Sequence, residues 1–286
     1  MKTKSLLRIG LFALALTAVV ISCRKNDKEP DEVDSDTTSA QDQSLASSTV
    51  DDMSNIADEA GRAGNLSAYR IGEIDGLLAS SCATVSIDST ATSSKTITVN
   101  FGTTNCLCND LKYRKGSLII TFTGRYRDSS TVITVTPQNY YVNDNRITGT
   151  KTIKNLGHNS AGHLVYQVTA NLMIFKTNNG GTIIWQSNRQ REWLEGENTL
   201  TRFDDKYSIT GFANGTNANG NSFSSLITAA LIKDMTCSQL KKHFVSGKIE
   251  HTPSGKATRY IDFGNSVCDD IATVTINGKI YTINLN

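Results

Sequence analysis

The sequence from Cys82 onward constrains the fold most, because it has the texture of a chain of β-strands. Short runs rich in Thr, Val, Ile, Tyr and Phe are separated by Gly and Asn pairs, and the whole chain has only 3 prolines. In 96–101 and 118–123 apolar and polar residues alternate, which buries one face of a strand and leaves the other in water. With no long helical pattern between these runs, the sequence predicts an all-β fold. A single antiparallel meander or Greek key would form a curved sheet, a sandwich or a half-barrel.

The clearest local prediction is a hairpin at the C-terminus. Asn277-Gly278 lies between two alternating runs and supplies the positive φ angles of a type I′ turn. Counting outward from this turn places Val274 opposite Tyr281. The next pair on the same face is Ala272 with Ile283, so apolar residues share one side of the hairpin. Further strands are predicted, with turn signals between several of them, at 131–136, 139–143, 146–154, 164–177, 182–194, 207–214, 222–233, 244–252 and 256–263.

Two echoes in the sequence suggest that strand units recur within this region. Ile147-Thr148-Gly149 returns as Ile209-Thr210-Gly211. Asn100-Phe101-Gly102 is echoed by Asp262-Phe263-Gly264, and in each case a cysteine follows four residues after the glycine. Duplication of a strand unit and chance similarity in a Thr/Ile-rich chain both remain open.

The N-terminus has the parts of a secretory signal peptide. Basic residues up to Arg8 precede an apolar run from Ile9 to Ile21. This run is shorter than the ~20 residues that span a bilayer, so residues 1–22 are interpreted as a signal peptide and not as a transmembrane helix. One possibility is ordinary cleavage near Ser22, which would leave Cys23 as an extra thiol.

The residues Val20-Ile21-Ser22-Cys23 resemble the lipobox of bacterial lipoproteins. In that family the cysteine is diacylated and becomes the mature N-terminus. The resemblance therefore implies lipidation of Cys23 and a membrane as partner through the acyl chains. Acidic residues between Asp27 and Asp34 resemble the export signal of some Gram-negative surface lipoproteins, and a solvated linker is the alternative. The expected location is the outer membrane, lipid-anchored, facing the cell surface or the periplasm.

Composition divides the rest of the chain into three parts. Residues 23–48 have almost no large apolar side chains and are predicted to form a disordered acidic and polar tether. A short helix with its lead-in is predicted at 49–80, because residues from Met53 to Ala60 have helical spacing and Asp51-Asp52 suits the positive end of a helix. This helix should end at Gly61 or Gly64. The antiparallel β domain is expected at 81–286.

The cysteines predict two disulfide bridges. Once Cys23 is lipidated, five cysteines remain in a compartment where disulfides persist. The echo favours Cys82 with Cys106 and Cys237 with Cys268, although Cys106 and Cys108 could exchange roles. The one-residue spacing of Cys106-Leu107-Cys108 does not match structural zinc sites, so neither a metal nor a cofactor is predicted.

The titratable residues form no recognisable catalytic motif. His158 and His163 lie in the loop HNSAGH. They are interpreted as exposed loop residues, in preference to metal ligands or a general base. Glu192 and Glu195 are three residues apart, which in a regular strand sends them to opposite faces. Trp193 between them is predicted to be a core residue flanked by solvated charges.

Remaining charges exclude some classes of function. Asp204-Asp205 and Asp269-Asp270 lack the spaced oxygen ligands of a calcium loop and are interpreted as turn acids. A net charge of +2 with interspersed acids and bases gives no electrostatic support for nucleic-acid binding.

The lipobox and the acidic tether combine with segments of the β region to resemble a group of uncharacterised β-rich lipoproteins of Gram-negative envelopes. The segments are Asp262-Phe263-Gly264, Cys268-Asp269, Ile209-Thr210-Gly211 and Arg191-Glu192-Trp193. The resemblance implies a cell-envelope location and an all-β domain. It implies no particular activity. We expect a binding or scaffolding module for an envelope glycan or protein, and an enzyme is not favoured. One alternative is a carbohydrate-active or peptide-cleaving enzyme whose acids come from separate strands. A second is a lipid- or lipoprotein-binding half-barrel with an apolar concave face open to solvent.

Overall fold

The computed structural model describes residues 34–66, 82–90, 94–199, 201, 203–237 and 244–285. The predicted signal peptide and the acylation site at Cys23 lie outside these residues. In the part that is described, one helix, α1, accompanies one antiparallel sheet of 14 strands. The helix is α1 (Thr38–Ala63). The strands are β1 (Thr84–Asp88), β2 (Lys95–Asn100), β3 (Cys106–Leu107), β4 (Tyr113–Phe122), β5 (Val132–Val142), β6 (Asn145–His158), β7 (Leu164–Phe175), β8 (Thr182–Glu195), β9 (Lys206–Thr216), β10 (Ser222–Asp234), β11 (Ser246–Pro253), β12 (Arg259–Asn265), β13 (Ile271–Ile276) and β14 (Lys279–Asn284).

The sheet is an open meander. Each strand pairs with the next one along the chain, except that β2 pairs with β4 and not with β3. The short strand β3 pairs only with β4, and β1 and β14 form the two edges. The prediction of a single all-β antiparallel meander is therefore confirmed, in its open-sheet form. The sheet curls around α1. This is seen from neighbouring helix residues, which contact strands that lie far apart in the sheet. Asp51 contacts Lys233 of β10, whereas Asp52 contacts Arg114 of β4.

Helix α1 is longer than the sequence predicted. It begins at Thr38 and has 26 residues, so it is about 39 Å long, and Gly64 caps its end. The prediction that residues 38–48 belong to a disordered tether is wrong. Ser39, Ala40 and Ser47 are buried in this first half. Small and hydrogen-bonding side chains replace the apolar stripe here, and that is why helical spacing of large apolar residues begins only at Met53.

Local turn chemistry was predicted well. The C-terminal hairpin has the expected register, with Val274 opposite Tyr281 and Ala272 opposite Ile283. By contrast, the segments 131–136 and 139–143 are one strand, β5, because its irregular residue Asn139, with φ of 47°, bends the strand without ending it.

The sequence echo around the two phenylalanines corresponds to a shared turn. The amide of Gly102 donates to the Asn100 side chain at 2.9 Å, and the amide of Gly264 donates to the Asp262 side chain at the same distance. Each turn leads into a disulfide. The predicted pairs Cys82–Cys106 and Cys237–Cys268 are confirmed, and Cys108 is a buried free thiol.

The other echo marks a close approach between strands. Gly149 and Gly211 have φ angles of 109° and 116°, a region that side chains rarely adopt. A Cβ atom at Gly149 would lie 2.1 Å from the carbonyl oxygen of Asn171, and one at Gly211 would lie 2.3 Å from that of Asn188. Neighbouring strands can therefore follow the bend of the sheet only if glycine occupies these positions.

We expect Gly149→Ala to lower the free energy of unfolding by about 3 kcal/mol, because the methyl group would displace the backbone of β7 as well as strain its own. Gly264→Ala is the matched control. Its φ is also positive, at 86°, but no atom lies within 4 Å of the added Cβ, so a loss of about 1 kcal/mol is expected. Urea unfolding of the two variants measures the difference, and equal losses would contradict the role of close approach.

Candidate functional site

The concave interior of the sheet is the first candidate site, because it holds many buried charges. Basic side chains point inward from alternate strands, and the helix supplies the acids that face them. Buried charge on this scale is costly unless it is paired, so the pairing decides what the interior can do. The inward cations are Arg114 of β4, Lys151 of β6, Arg189 and Arg191 of β8, Lys233 of β10 and Arg259 of β12.

Asp51 lies at the centre of this arrangement. Its carboxylate is 2.5 Å from the ammonium group of Lys233. Burial alone would raise the pKa of Asp51, but the charges of Lys233 and Arg191 outweigh burial and lower it below the ordinary value. Lys151, from the opposite wall, donates to the Val50 carbonyl at 2.6 Å and to the Ser54 hydroxyl. Burial lowers the pKa of Lys151 well below its usual range.

Asp52 forms the second ion-pair centre. Arg114 donates to both of its carboxylate oxygens at 2.8 Å and also bonds Asp110 at 2.6 Å. Burial would raise the pKa of Asp52, yet Arg114 and Lys112 lower it strongly. Asp51 and Asp52 thus lie in the middle of α1 and pair with the sheet, which corrects their predicted place at the helix start.

The first half of α1 is held by hydrogen bonds to residues on the strands and in the loops beside them. Asp42 accepts from Lys176 and from the Ala218 amide, each at 2.8 Å. Gln43 accepts from the indole N–H of Trp185 at 3.0 Å. Arg189 donates to the Ser47 hydroxyl at 2.9 Å. These contacts fix residues whose sequence alone resembles a linker.

His251 joins the helix to β10. Its Nε2 lies 2.6 Å from the Ser39 hydroxyl and its Nδ1 lies 2.7 Å from the Ser225 hydroxyl. Its ring also packs against Phe223. Burial, followed by the charge of Arg259, lowers the pKa of His251 to about 4. The ring is therefore neutral at physiological pH and acts as a hydrogen-bonded spacer.

Where the described residues enclose it, the space between α1 and the sheet is filled by side chains and leaves little room for a ligand. Two voids between α1 and the sheet, one beside Phe244 and Phe263 and one beside Arg189, measure about 10 and 20 Å³. A void of that size holds about one water molecule. The expected mark of a lipid-binding half-barrel was an apolar concave face open to solvent. The described concave face is instead covered by α1, and its apolar core residues are interspersed with buried charges.

A groove on the outer face of the sheet is the second candidate site. The loop between β6 and β7 rises beside β8 and β9 there and leaves a cavity of about 310 Å³. The cavity is larger than the interior voids, and polar side chains form most of its wall. It is lined by Leu156, Gly157, His158, Asn159, Val165, Gln190, Glu192, Ser208 and Thr210.

The loop histidines pair with glutamates at this groove. His163 Nδ1 lies 2.7 Å from the carboxylate of Glu192, which also accepts from the side-chain amide of Asn159 at 2.8 Å. His158 Nε2 lies 2.9 Å from Glu197. The hydrogen bonds from His163 and then Asn159 lower the pKa of Glu192. The histidines are surface residues as predicted, but their pairing with two acids was missed because it joins separate strands.

Three expectations around Trp193 have different outcomes. Trp193 is a core residue, as predicted, and it packs against Tyr207. Arg189 and Arg191 are buried, so the prediction that the flanking charges are solvated is wrong for them. The strand register shifts between Trp193 and Glu195, so Glu192 lies opposite Ser208 and Glu195 opposite Lys206. Because Lys206 and Ser208 share one face of β9, both glutamates face outward, and the prediction of opposite faces is wrong.

The other acidic pairs act within turns and in the core. Asp269 accepts from the Ile271 amide at 3.1 Å, as expected of a turn acid. Asp205, in contrast, is buried and accepts from the Tyr207 hydroxyl at 2.8 Å. Among the described residues, no cluster of three His, Cys, Asp or Glu side chains could hold a metal ion.

A further cavity of about 440 Å³ lies along the first half of α1 and the edge strand β14. Asp42 and Lys176 are its charged residues, and they bond each other. Among the cavities formed by the described residues, the outer groove is the one beside the exposed His158 and the half-exposed Glu192.

No protein-family model, curated protein or solved structure matches this chain. In the part of the chain that the structure describes, no helix is both long and apolar enough to cross a membrane. The function of the outer groove must therefore be inferred from its own chemistry.

We expect Asp51→Asn to lower the free energy of unfolding by about 3 to 5 kcal/mol, because Lys233 and Arg191 would lose the charge that faces them in the interior. Glu195→Gln breaks an exposed ion pair with Lys206 and serves as the control, with an expected loss below about 1 kcal/mol. Guanidinium unfolding of both variants tests this. Similar losses would show that the interior pairing does not stabilise the fold.

The lowered pKa of His251 predicts a loss of stability in mild acid. Between its ordinary pKa of 6.5 and the folded value of about 4, the unfolded chain binds a proton that the folded chain does not. Stability should therefore fall as pH drops through this interval, by about 3 kcal/mol in all, at about 1.4 kcal/mol per pH unit.

His251→Gln isolates this contribution. The difference in unfolding free energy between the original chain and the variant should be constant above pH 7 and should shrink between pH 6.5 and 4. Urea unfolding at half-unit pH steps measures both chains. Parallel pH profiles would show that His251 titrates normally in the folded state.

Proposed function

We propose that this chain is a lipid-anchored lipoprotein of the cell envelope, acylated at Cys23, whose β domain is a binding module. The basic and apolar N-terminal segments and the lipobox-like residues support the anchor. The two disulfides support an oxidising compartment, since such bridges are rare in the cytoplasm. The proposed location is the outer membrane, facing the periplasm or the cell surface.

One observation supports binding at the outer face in particular. Helix α1 covers the described concave side, and in the outer groove the exposed His158 and the carboxylate of Glu192 lie beside neutral polar side chains. Its wall offers side-chain amides, hydroxyls and one member of each His–Glu pair, His158 and Glu192, to a ligand. The partner is proposed to be a polar envelope component, either a glycan or a protein.

The same geometry favours binding over hydrolysis. A glycosidase needs one carboxylic acid whose pKa is raised so that it can protonate the leaving group. The pKa of Glu192 is instead lowered by hydrogen bonds from His163 and Asn159. Glu195, on the same face, forms an ion pair with Lys206 at 3.0 Å.

The start of α1 also limits the reach of the proposed anchor. Only residues 24–37 separate Cys23 from the helix, and at full extension they span at most about 50 Å. The β domain would therefore stay close to the membrane, attached through the helix that its own interior binds.

Site-specific cross-linking in intact cells tests this proposal. We expect Thr210→p-benzoylphenylalanine, placed in the groove of the full-length chain, to form an adduct with an envelope component on irradiation. The residue is exposed, so the substitution leaves the core intact.

Two variants control the experiment. The same replacement at Thr104, an exposed residue between β2 and β3, should give no adduct. Cys23→Ala should remove the acyl chains, detected by mass spectrometry, and release the chain from the membrane fraction. Equal adducts at Thr210 and Thr104, or none at either, would contradict binding at the groove, and an unacylated Cys23 in the original chain would contradict the anchor.

A further inference from the structure

A continuous row of directly opposed residues crosses the outer face of the sheet. The inward neighbours of these residues, such as Ile97 and Ile153, are buried, so the row itself points away from α1. Adjacent members are about 4.8 Å apart, the spacing between paired strands. From β2 to β8 the row consists of Thr96, Thr121, Thr134, Thr152, Thr169 and Asn188.

Large exposed side chains continue this row over the next strands. Phe212 of β9 lies opposite Asn188, and Leu226 of β10 lies opposite Phe212. Glu250 and then Tyr260 follow on β11 and β12. The exposed fractions of Phe212, Leu226 and Tyr260 are 49%, 52% and 52%. Two aromatic rings thus lie open on a polar surface, about 14 Å apart across three strand spacings.

Parallel rows on both sides supply hydrogen-bonding groups. On one side lie Gln167, Gln190 and Thr210, of which the last two line the outer groove. The groove and the three rows therefore form one surface, the outer strip, defined by the groove residues and the row residues of β7 to β12. On the other side lie the exposed residues Asn171, Gln186, Asn214, Ser224 and Thr252.

The chemistry of the outer strip selects among classes of ligand. From β7 to β10 the three rows contain only neutral side chains, and Glu250 on β11 adds a carboxylate. The rows therefore lack the cations that nucleic acids or acidic polymers require. Phe212 and Leu226 are bordered by polar residues on their own strands, unlike the contiguous apolar patch typical of a protein interface. Hydroxyls and amides beside exposed rings match a ligand that has many hydroxyls and a partly apolar face.

We propose that the outer strip binds a neutral glycan chain. Phe212 and Tyr260 stack against sugar rings, and the Thr, Asn and Gln side chains bond the sugar hydroxyls. The distance between the two rings fits an oligosaccharide better than a single sugar. This assignment rests on the proposed function, because it names the ligand class for the surface that the groove belongs to.

Calorimetric titration of the full-length chain tests the assignment, in a detergent without a sugar headgroup. The probes are neutral hexasaccharides, namely cellohexaose, chitohexaose, maltohexaose and mannohexaose, with hexagalacturonate as the acidic comparison. At least one neutral probe should bind, and more tightly than the acidic one. Phe212→Ala and Tyr260→Ala should each weaken that binding about tenfold, as truncation of an aromatic contact does at binding surfaces.

Tyr113→Ala is the matched control. Tyr113 is 48% exposed but lies on β4, five strands from β9, and its truncation should leave the affinity unchanged. All three side chains are exposed, so thermal unfolding should confirm that the variants fold. If no neutral probe binds, if the acidic probe binds more tightly, or if Tyr113→Ala weakens binding equally, the assignment is overturned.

The outcomes separate this inference from the proposed function. An adduct at Thr210 in which mass spectrometry finds peptides of a second protein, and whose mass glycosidases leave unchanged, would overturn the glycan ligand and keep the binding module. Absence of any Thr210 adduct together with absence of glycan binding would overturn both.

Discussion

The pairing of an acidic helix with a basic sheet interior is the constraint on which the rest of the structure depends. Asp51 and Asp52 are adjacent in the chain, yet they bind cations on β10 and β4. Without α1, Lys151, Arg191 and Lys233 would face one another across the curl, and their repulsion would open it. The helix in turn is too polar to be stable alone. Each part therefore depends on the other, and the sheet curls because the helix is inside it.

This mutual dependence explains which parts of the fold were visible in the sequence. Strand alternation and the Asn277-Gly278 turn are local signals, so the meander and the last hairpin were predictable. The first half of α1 has no such signal. Ser39, Asp42 and Ser47 are buried by partners on strands far along the chain, and their composition alone matches a solvated linker. Disorder was therefore predicted for residues 38–48, whose buried polar groups in fact bond to particular residues of distant strands.

The candidate site was only partly predictable for the same reason. His163 and Glu192 each attracted attention in the sequence, but their contact depends on the register between β7 and β8. The shared face of Glu192 and Glu195 depends on a bulge at Leu194, which alternation alone does not reveal. The outer row is harder still to predict, since it requires the register of ten strands, β2 and β4 to β12, to align residues that are unremarkable one by one.

The charged interior also determines the character of the exterior. In a strand, side chains alternate between faces, so arginines and lysines that point inward at Arg189, Arg191 and Lys233 leave the intervening outward positions to other residues. Several of those positions are Asn, Gln, Thr and Ser, and the three rows of the outer strip are neutral from β7 to β10. The sheet thereby separates two surfaces. Its concave side holds the helix that continues toward the proposed anchor, and its outer side is free for a ligand. Binding and attachment can then proceed together, because neither requires α1 to leave the interior.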